Sequence, residues 1–296
     1  MIKDEIKLNT VVDTLEVDML KDNVANPWVI VADNKGYIKT SGNVKSDDNY
    51  FRVKLSPKHL IGYEETNSKK NIEEAINTIA DEIGVNVLNI ESNRIDISVD
   101  SSLKYNDYVK FHLYLFELIT FKESSKKKIL CTSLDSYKDN NMYFNGRDLK
   151  LSIYNKADES DGSHPYETRI EFRWCRYVSL DTEKSAKKVL AKIKDIENNN
   201  PELTARLVAK LSARFEEEKA SCVVTNFTEF VRKYDKFFYT ADIVKGVYEA
   251  TGLKGSFTNW FKKFKKDYPS FDYYSLSDIK SYRNMMNKSI KNYIKS

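Results

Sequence analysis

Acids, bases and one tyrosine recur at alternate positions of three short stretches, RIDISVD (94–100), LKLSIYNK (149–156) and TRIEFRW (168–174). Successive side chains of a β-strand point to opposite faces, so each stretch predicts a strand with one apolar and one polar face. The polar positions with reactive groups are Asp96, Asp100, Tyr154, Lys156 and Glu171. If the three strands share a sheet, these side chains meet on one face. A solvated face of an antiparallel sheet has the same alternation, so that interpretation stays open.

The carboxylates on this face are the residues that predict a metal. Asp is depleted in strands, and two aspartates, Asp96 and Asp100, on one strand therefore suggest that both bind a shared divalent cation. Glu171 or Glu159 is expected to add a third oxygen ligand. Hard oxygen ligands favour Mg²⁺ or Mn²⁺ over zinc. The three cysteines form no CxxC pair and the three histidines are isolated, which argues against a zinc site.

The tyrosine predicts phosphodiester chemistry. A free phenol has a pKa near 10, so Tyr154 needs a cation, a base or both to attack a phosphate at neutral pH. The metal would polarise the phosphate, and Lys156 could stabilise the phenolate or the charge of the transition state. A tyrosine nucleophile would leave the protein covalently joined to one DNA end.

The elements that must position these residues are strands followed by helices. Alternation predicts strands at 13–20 and 50–55, and a short buried strand at 27–32; helical periodicity predicts a helix at 67–84. A further helix is expected at 105–121, and a hairpin around Asn145 and Gly146. Beyond Tyr177 the pattern becomes helical, with Pro201 expected at a helix start. The predicted fold class is α+β: a central antiparallel sheet with helices on one face, then a mostly helical C-terminal region.

Three regions are expected from these patterns: a catalytic domain at 1–180, a helical connecting segment at 181–224, and a helical DNA-binding domain at 225–296. The last region carries 14 Lys and Arg against 7 Asp and Glu, whereas the whole chain has a net charge of only +4. Its stretch FTNWFKKFKKDY interleaves lysines with aromatics, a composition suited to a polyanion. The aromatics at helical spacing favour a small core, and the lysines Lys262, Lys263, Lys265 and Lys266 are the expected DNA contacts.

Composition limits the class of protein. Hydrophobic residues make up 41% and charged residues 31%, which excludes a disordered or fibrous chain. The first residues lack the apolar core of a secretion signal, and no apolar stretch reaches membrane-spanning length, so a cytoplasmic location and no membrane partner are expected.

Taken in order, RIDISVD, MYFNGRDLKLSIYNKADE and TRIEFRW resemble the replication initiators of small rolling-circle plasmids of Gram-positive bacteria. They are more loosely similar to the replication endonucleases of filamentous phages. The plasmid family has an R-[LI]-D-x-x-x-D strand, a [YF]-[FY]-G-like turn, an [RK]-I-Y-[ND]-K-x-x-E strand and an R-[VI]-E strand. The resemblance covers Tyr50 to Tyr177 and departs from the family at Asn145-Gly146, where the family often has a glycine-rich turn.

The resemblance implies a site-specific nickase that opens a replication origin, with Tyr154 as the nucleophile. It implies Asp96, Asp100, Glu159 and Glu171 as metal ligands or supporting acids. The arginines expected to contact DNA are Arg94, Arg147, Arg169 and Arg173. Origin DNA, double-stranded and single-stranded, is the expected partner; a host helicase and a second copy of the chain are further candidates. A second nucleophile, from Tyr143 or another subunit, is left open, as are a non-catalytic origin-binding initiator or regulator and a conjugative relaxase.

Overall fold

A computed structural model describes residues 6–20, 38–40, 50–55, 57, 61–83, 91–108, 111, 129–130, 141–145, 149–178, 181–238, 240–271 and 273–296. The predicted strand at 27–32 and most of the predicted helix at 105–121 lie outside these residues.

Eight strands form one sheet. They are β1 (Leu8–Leu20), β2 (Ile38–Thr40), β3 (Tyr50–Leu55), β4 (Glu91–Ser101), β5 (Ile129–Leu130), β6 (Asn141–Asn145), β7 (Leu149–Asn155) and β8 (Thr168–Val178). Their order across the sheet is β2-β3-β1-β4-β8-β7-β6-β5, and each neighbouring pair is antiparallel. The predicted strands at 13–20, 50–55, 94–100 and 168–174 are confirmed, as is the pairing of β6 with β7 on either side of Asn145-Gly146.

The helices are α1 (Lys69–Ile83), a single turn α2 (Lys156–Glu159), α3 (Thr182–Ala220), α4 (Phe227–Lys233), α5 (Ala241–Ala250), α6 (Phe257–Asp267) and α7 (Leu276–Lys295). The fold is α+β, as predicted. The chain divides into two compact units. The sheet unit comprises 6–106, 128–192 and 285–296, and the helical unit comprises 1–5, 107–127 and 193–284.

The apolar face of the sheet is buried, and α7 lies against it. Ile95, Ile97 and Val99 of β4 are fully buried there. The hydroxyl groups of Thr10 and Ser289 are 2.7 Å apart, which places the end of α7 on this face. Alternation in the sequence therefore identified the core side of the central strands.

Helix α3 differs from the prediction. Pro201 was expected to begin a second helix, but α3 runs from Thr182 to Ala220 without a break. Both ends of this helix carry fully buried residues, such as Val189 near its start and Phe215 near its end. The stabilisation from burial at both ends exceeds the local destabilisation by Pro201. Helix propensity alone had ranked this proline as a residue that interrupts a helix.

The helical unit has an aromatic core. Trp260 of α6 packs with its ring centroid 4.9 Å from that of Phe227 and 5.1 Å from that of Phe264. Its indole Nε1 donates to Thr228 Oγ1 at 3.1 Å. Phe264 is buried, whereas Phe257, Trp260 and Phe261 are half-buried and pack against other rings. The helical spacing therefore predicted this aromatic packing, but only Phe264 is fully part of a core.

Candidate active site on the polar face of the sheet

The polar face is built from three rows of side chains that run across β7, β8, β4 and β1. One row contains Lys150, Arg173, Asp96 and Thr14; the next contains Ser152, Glu171, Ser98 and Val11; the third contains Tyr154, Arg169, Asp100 and Asn9. Most of these residues are buried, so this face is not a solvated surface.

An acidic trio, Asp13, Asp96 and Glu171, lies at the centre of this face. One carboxylate oxygen from each lies within 4.8 Å of the other two. The three residues come from the adjacent strands β1, β4 and β8. Asp96 is fully buried and Glu171 is 4% exposed. Carboxylate oxygens at this separation suit a hard divalent cation.

Two arginines partly neutralise the trio. Arg94 Nε donates to Asp96 Oδ1 at 2.9 Å, and Arg173 Nε donates to the same oxygen at 3.1 Å. Arg173 Nη2 also donates to Glu171 at 2.7 Å. Nevertheless burial, together with the negative charge of Asp96, raises the pKa of Glu171 to about 7, and Arg173 offsets this only in part.

Asp100 belongs to a different cluster. Arg169 donates to its carboxylate through Nε at 2.6 Å and through Nη2 at 2.8 Å, and the Tyr63 hydroxyl donates at 2.6 Å. His164 Nε2 lies 3.7 Å from the same carboxylate. Residues four apart on a strand are separated by about 13 Å, so Asp96 and Asp100 do not converge on one ion as the sequence had suggested.

Tyr154 is the direct cross-strand partner of Arg169. Burial raises the pKa of its phenol above the ordinary value, the positive charge of Arg169 opposes that shift, and the charges of Glu171 and Asp13 add to it. Lys156 Nζ lies 5.8 Å from the centre of the Tyr154 ring and forms an ion pair with Glu159. The structure therefore brings Tyr154, Lys156 and Glu159 together.

The sequence YNKADE explains why the chain turns directly after Tyr154. Asn155 is the N-cap of α2, and its side-chain oxygen accepts from the backbone N–H of Asp158 at 3.1 Å. Helix α2 then ends in a turn where Asp161 and Gly162 have positive φ angles. Lys156 N donates to the carbonyl of Glu167 at 2.8 Å, so this loop returns directly into β8.

Sequence reasoning missed three residues of the site: Asp13, Tyr63 and His164. Asp13 lies at a bulge, where the register of β1 against β4 shifts between Val12 and Thr14. A bulge redirects a side chain and is common beside active sites. The only sequence signal for it was an aspartate within a strand.

The remaining candidates are Arg147, Tyr143 and the lysines of α6. Arg147 falls outside the described residues, and Tyr143 lies opposite Ser152 in the register of β6 and β7. In the helical unit Lys262, Lys263 and Lys266 are exposed on α6. Lys265 instead donates to the backbone carbonyl of Phe271. Its ammonium also lies 5.2 Å from the Tyr273 ring centre.

No protein-family model matches the chain, and no curated protein sequence matches it. The fold is similar to a solved structure of a rolling circle replication initiator protein from Geobacillus stearothermophilus. That similarity covers 64% of this chain and 80% of the other, at 14% sequence identity and a TM-score of 0.34.

Within the described part of the chain, every helix is either too short or too polar to cross a membrane.

Proposed function

We propose that the protein is a metal-dependent DNA nickase and strand transferase that starts rolling-circle replication, with Tyr154 as its nucleophile. The observation that supports this most directly is the placement of Tyr154 on the same buried polar face as the trio of Asp13, Asp96 and Glu171. The ordered motifs around these residues, which resemble those of the plasmid initiators, point to DNA as the substrate.

The chemistry of the ligands fits a hard cation. The trio offers three carboxylate oxygens, and Mg²⁺ or Mn²⁺ is the ion such a set prefers. Ser98 Oγ, fully buried directly opposite Glu171, has no hydrogen-bond partner among the described residues. A buried hydroxyl without a partner could form a hydrogen bond with a water molecule bound to the cation. When bound, the cation would supply positive charge that polarises the scissile phosphate and offsets the carboxylates near Tyr154.

The residues around Tyr154 have distinct proposed roles. The phenol oxygen forms a bond to phosphorus as the bond to the 3′ oxygen breaks. The product is a 5′-phosphotyrosine and a free 3′ hydroxyl that can prime synthesis. The phenol proton passes to solvent water as the bond forms, and the departing 3′ oxygen takes up a proton from solvent water. Lys156 and Arg169 provide the positive charge that stabilises the phenolate, and Glu159 fixes Lys156 through their ion pair.

Duplex binding is proposed for the helical unit. We call the three exposed lysines of α6 the α6 lysines; they are Lys262, Lys263 and Lys266. Their ammonium groups are available to phosphates, whereas that of Lys265 is held against Phe271. We therefore do not propose Lys265 as a DNA contact. On the sheet, we propose that Arg94 and Arg173 contact DNA that enters the polar face.

The test is detection of a covalent protein–DNA adduct. The protein is incubated with Mn²⁺ and single-stranded oligonucleotides that tile the DNA flanking its coding sequence, then resolved on a denaturing gel. The wild type should give a slowly migrating adduct and a shortened free strand with one oligonucleotide. Tyr154→Phe should give neither while still binding that oligonucleotide. Tyr166→Phe, which removes a nearby phenol from the loop before β8, is the matched control and should react like the wild type.

Two outcomes would refute the assignment. An adduct that persists in Tyr154→Phe would place the nucleophile elsewhere. Binding without an adduct, over the full tiling and with Mn²⁺ present, would favour the alternative of a non-catalytic origin-binding initiator. A conjugative relaxase would give the same adduct, and the position of the reactive oligonucleotide, at a replication or a transfer origin, separates the two.

A further inference from the structure

Arg169 has an unusual environment for an arginine. It is 1% exposed and is the largest of the fully buried side chains among the described residues. Its guanidinium donates in two directions. Nε and Nη2 face Asp100, while Nη1 donates to Asp13 Oδ1 at 2.5 Å. One cation thus joins the Asp100 cluster to a member of the acidic trio.

The Asp100 end of this arrangement is fixed. Asp100 is fully buried and accepts two hydrogen bonds from Arg169 and one from Tyr63. Burial, followed by the charge of Asp100, raises the pKa of Tyr63, so its phenol remains a donor. His164 Nε2 lies 3.4 Å from Arg169 Nη2, and its ring packs edge-on against Tyr63 with centroids 4.6 Å apart. The plane of the guanidinium is therefore held from several sides.

The Asp13 end needs such a support. Asp13 lies at the bulge of β1, so no regular pair in the β-ladder fixes the direction of its side chain. The contacts that do hold its carboxylate include Arg169 Nη1 and the hydroxyl of Thr14, which donates to Oδ2 at 3.1 Å. Groups that hold a ligand from behind set its direction and its affinity for a metal.

We propose that Arg169 is a positioning residue for the metal centre. Anchored on Asp100, it directs the carboxylate of Asp13 toward Asp96 and Glu171. A planar guanidinium can bind Asp100 through one edge and reach Asp13 with its remaining nitrogen; a lysine, with one ammonium, cannot do both. This inference rests on the proposed function, because it assumes that the trio binds a cation.

The experiment measures Mn²⁺ binding in the absence of DNA, by the loss of the free Mn²⁺ signal in electron paramagnetic resonance. Arg169→Lys should weaken Mn²⁺ binding about 10-fold to 100-fold, the usual effect of losing such a support. Ile170→Val is the matched control. It lowers stability from the adjacent, apolar position of the same strand and should leave Mn²⁺ affinity unchanged.

A second variant keeps the test decisive if Arg169→Lys does not fold. Asp100→Asn combined with Arg169→Gln removes both buried charges together, so neither is left without its partner. This double variant should also bind Mn²⁺ at least 10-fold more weakly, with a circular dichroism spectrum like that of the wild type. Unchanged affinity in either folded variant would overturn the inference while leaving the proposed metal centre intact. Absence of Mn²⁺ binding by the wild type would instead overturn both.

Discussion

Replacing Glu171 by Gln should make the protein more stable at pH 8 when a chelator removes metal. Burial and the neighbouring charge of Asp96 raise the pKa of this carboxyl from 4.5 to about 7, although Arg173 opposes the shift. The other charges that act on it are those of Asp13 and Arg169. Between these two pH values the folded protein therefore holds a proton that the unfolded chain has lost.

The sign and size follow from proton linkage. Because the folded state binds more protons, the free energy of unfolding falls as pH rises from about 4.5 to 7, and it stays reduced above that. A shift of this size corresponds to at most about 3 kcal/mol. Glutamine does not titrate, so the variant should lack this loss. The difference in the free energy of unfolding between the variant and the wild type should be near zero at pH 4.5. It should reach its full value by pH 8.

Urea denaturation in EDTA, followed by circular dichroism at several pH values, measures the effect. Glu216→Gln, at an exposed position of α3, is the control and should show no pH-dependent difference from the wild type. Added Mn²⁺ should reverse the order at pH 8, because only the wild type retains all three carboxylates and gains stability by binding. A stability difference between Glu171→Gln and the wild type that does not vary with pH would refute the reasoning.

Three further predictions concern the rest of the fold. Gly246→Ala should lower the free energy of unfolding by about 1 to 3 kcal/mol, because its new Cβ would lie 2.9 Å from Val208 Cγ2. Thermal unfolding measures the effect, and a rise in melting temperature would contradict this packing. Asn155→Ala should lower the free energy of unfolding by about 1 kcal/mol through loss of the α2 cap, measured by urea denaturation. Asn155→Asp should restore only part of it, because Asn155 Nδ2 also donates to Asp158 Oδ2 at 2.7 Å and an aspartate would repel that carboxylate. Replacing all three α6 lysines by alanine should weaken duplex binding. It should also reduce, by up to about 3, the slope of log K for DNA binding against the logarithm of the salt concentration. Lys265→Ala should instead lower the stability of the protein and leave that slope unchanged.

The sheet and its faces could be predicted because their signal is local. The period of two in 94–100 and 168–174 separates an apolar face from a polar face, and Ile97 and Phe172 of the apolar face are buried as expected. The same alternation placed Asp96 and Glu171 on the opposite face. Their close approach follows from the pairing of β4 with β8, where they are diagonal neighbours.

Asp13 could not be predicted in the same way. Regular alternation would put it on the face opposite that of its neighbour Thr14, which pairs with Asp96, and so away from the polar face. The bulge between Val12 and Thr14 breaks that period and lets Asp13 join the trio. A bulge depends on the pairing of two distant strands, so a single strand's sequence does not reveal it.

Tyr63 and His164 show a second limit of sequence patterns. Both lie in irregular segments, one before α1 and one before β8, and neither has a periodic signal. Their position beside Asp100 depends on tertiary contacts that bring both segments to the end of β4. In one such contact the backbone N–H of Glu167 donates to the carbonyl of Ser101 at 3.1 Å. The pairing of Asp100 with Arg169, rather than with a cation, depends on the same tertiary contacts.

The position of α7 has a consequence for synthesis of the protein. Residues 285–296 belong to the sheet unit, where Ser289 meets Thr10 and the Tyr293 hydroxyl donates to Thr182 Oγ1 at 3.0 Å. Although all eight strands precede Thr182, the apolar face of their sheet is completed by the segment translated after them all. During translation the strands therefore leave the ribosome before their covering helix, with apolar surface still exposed.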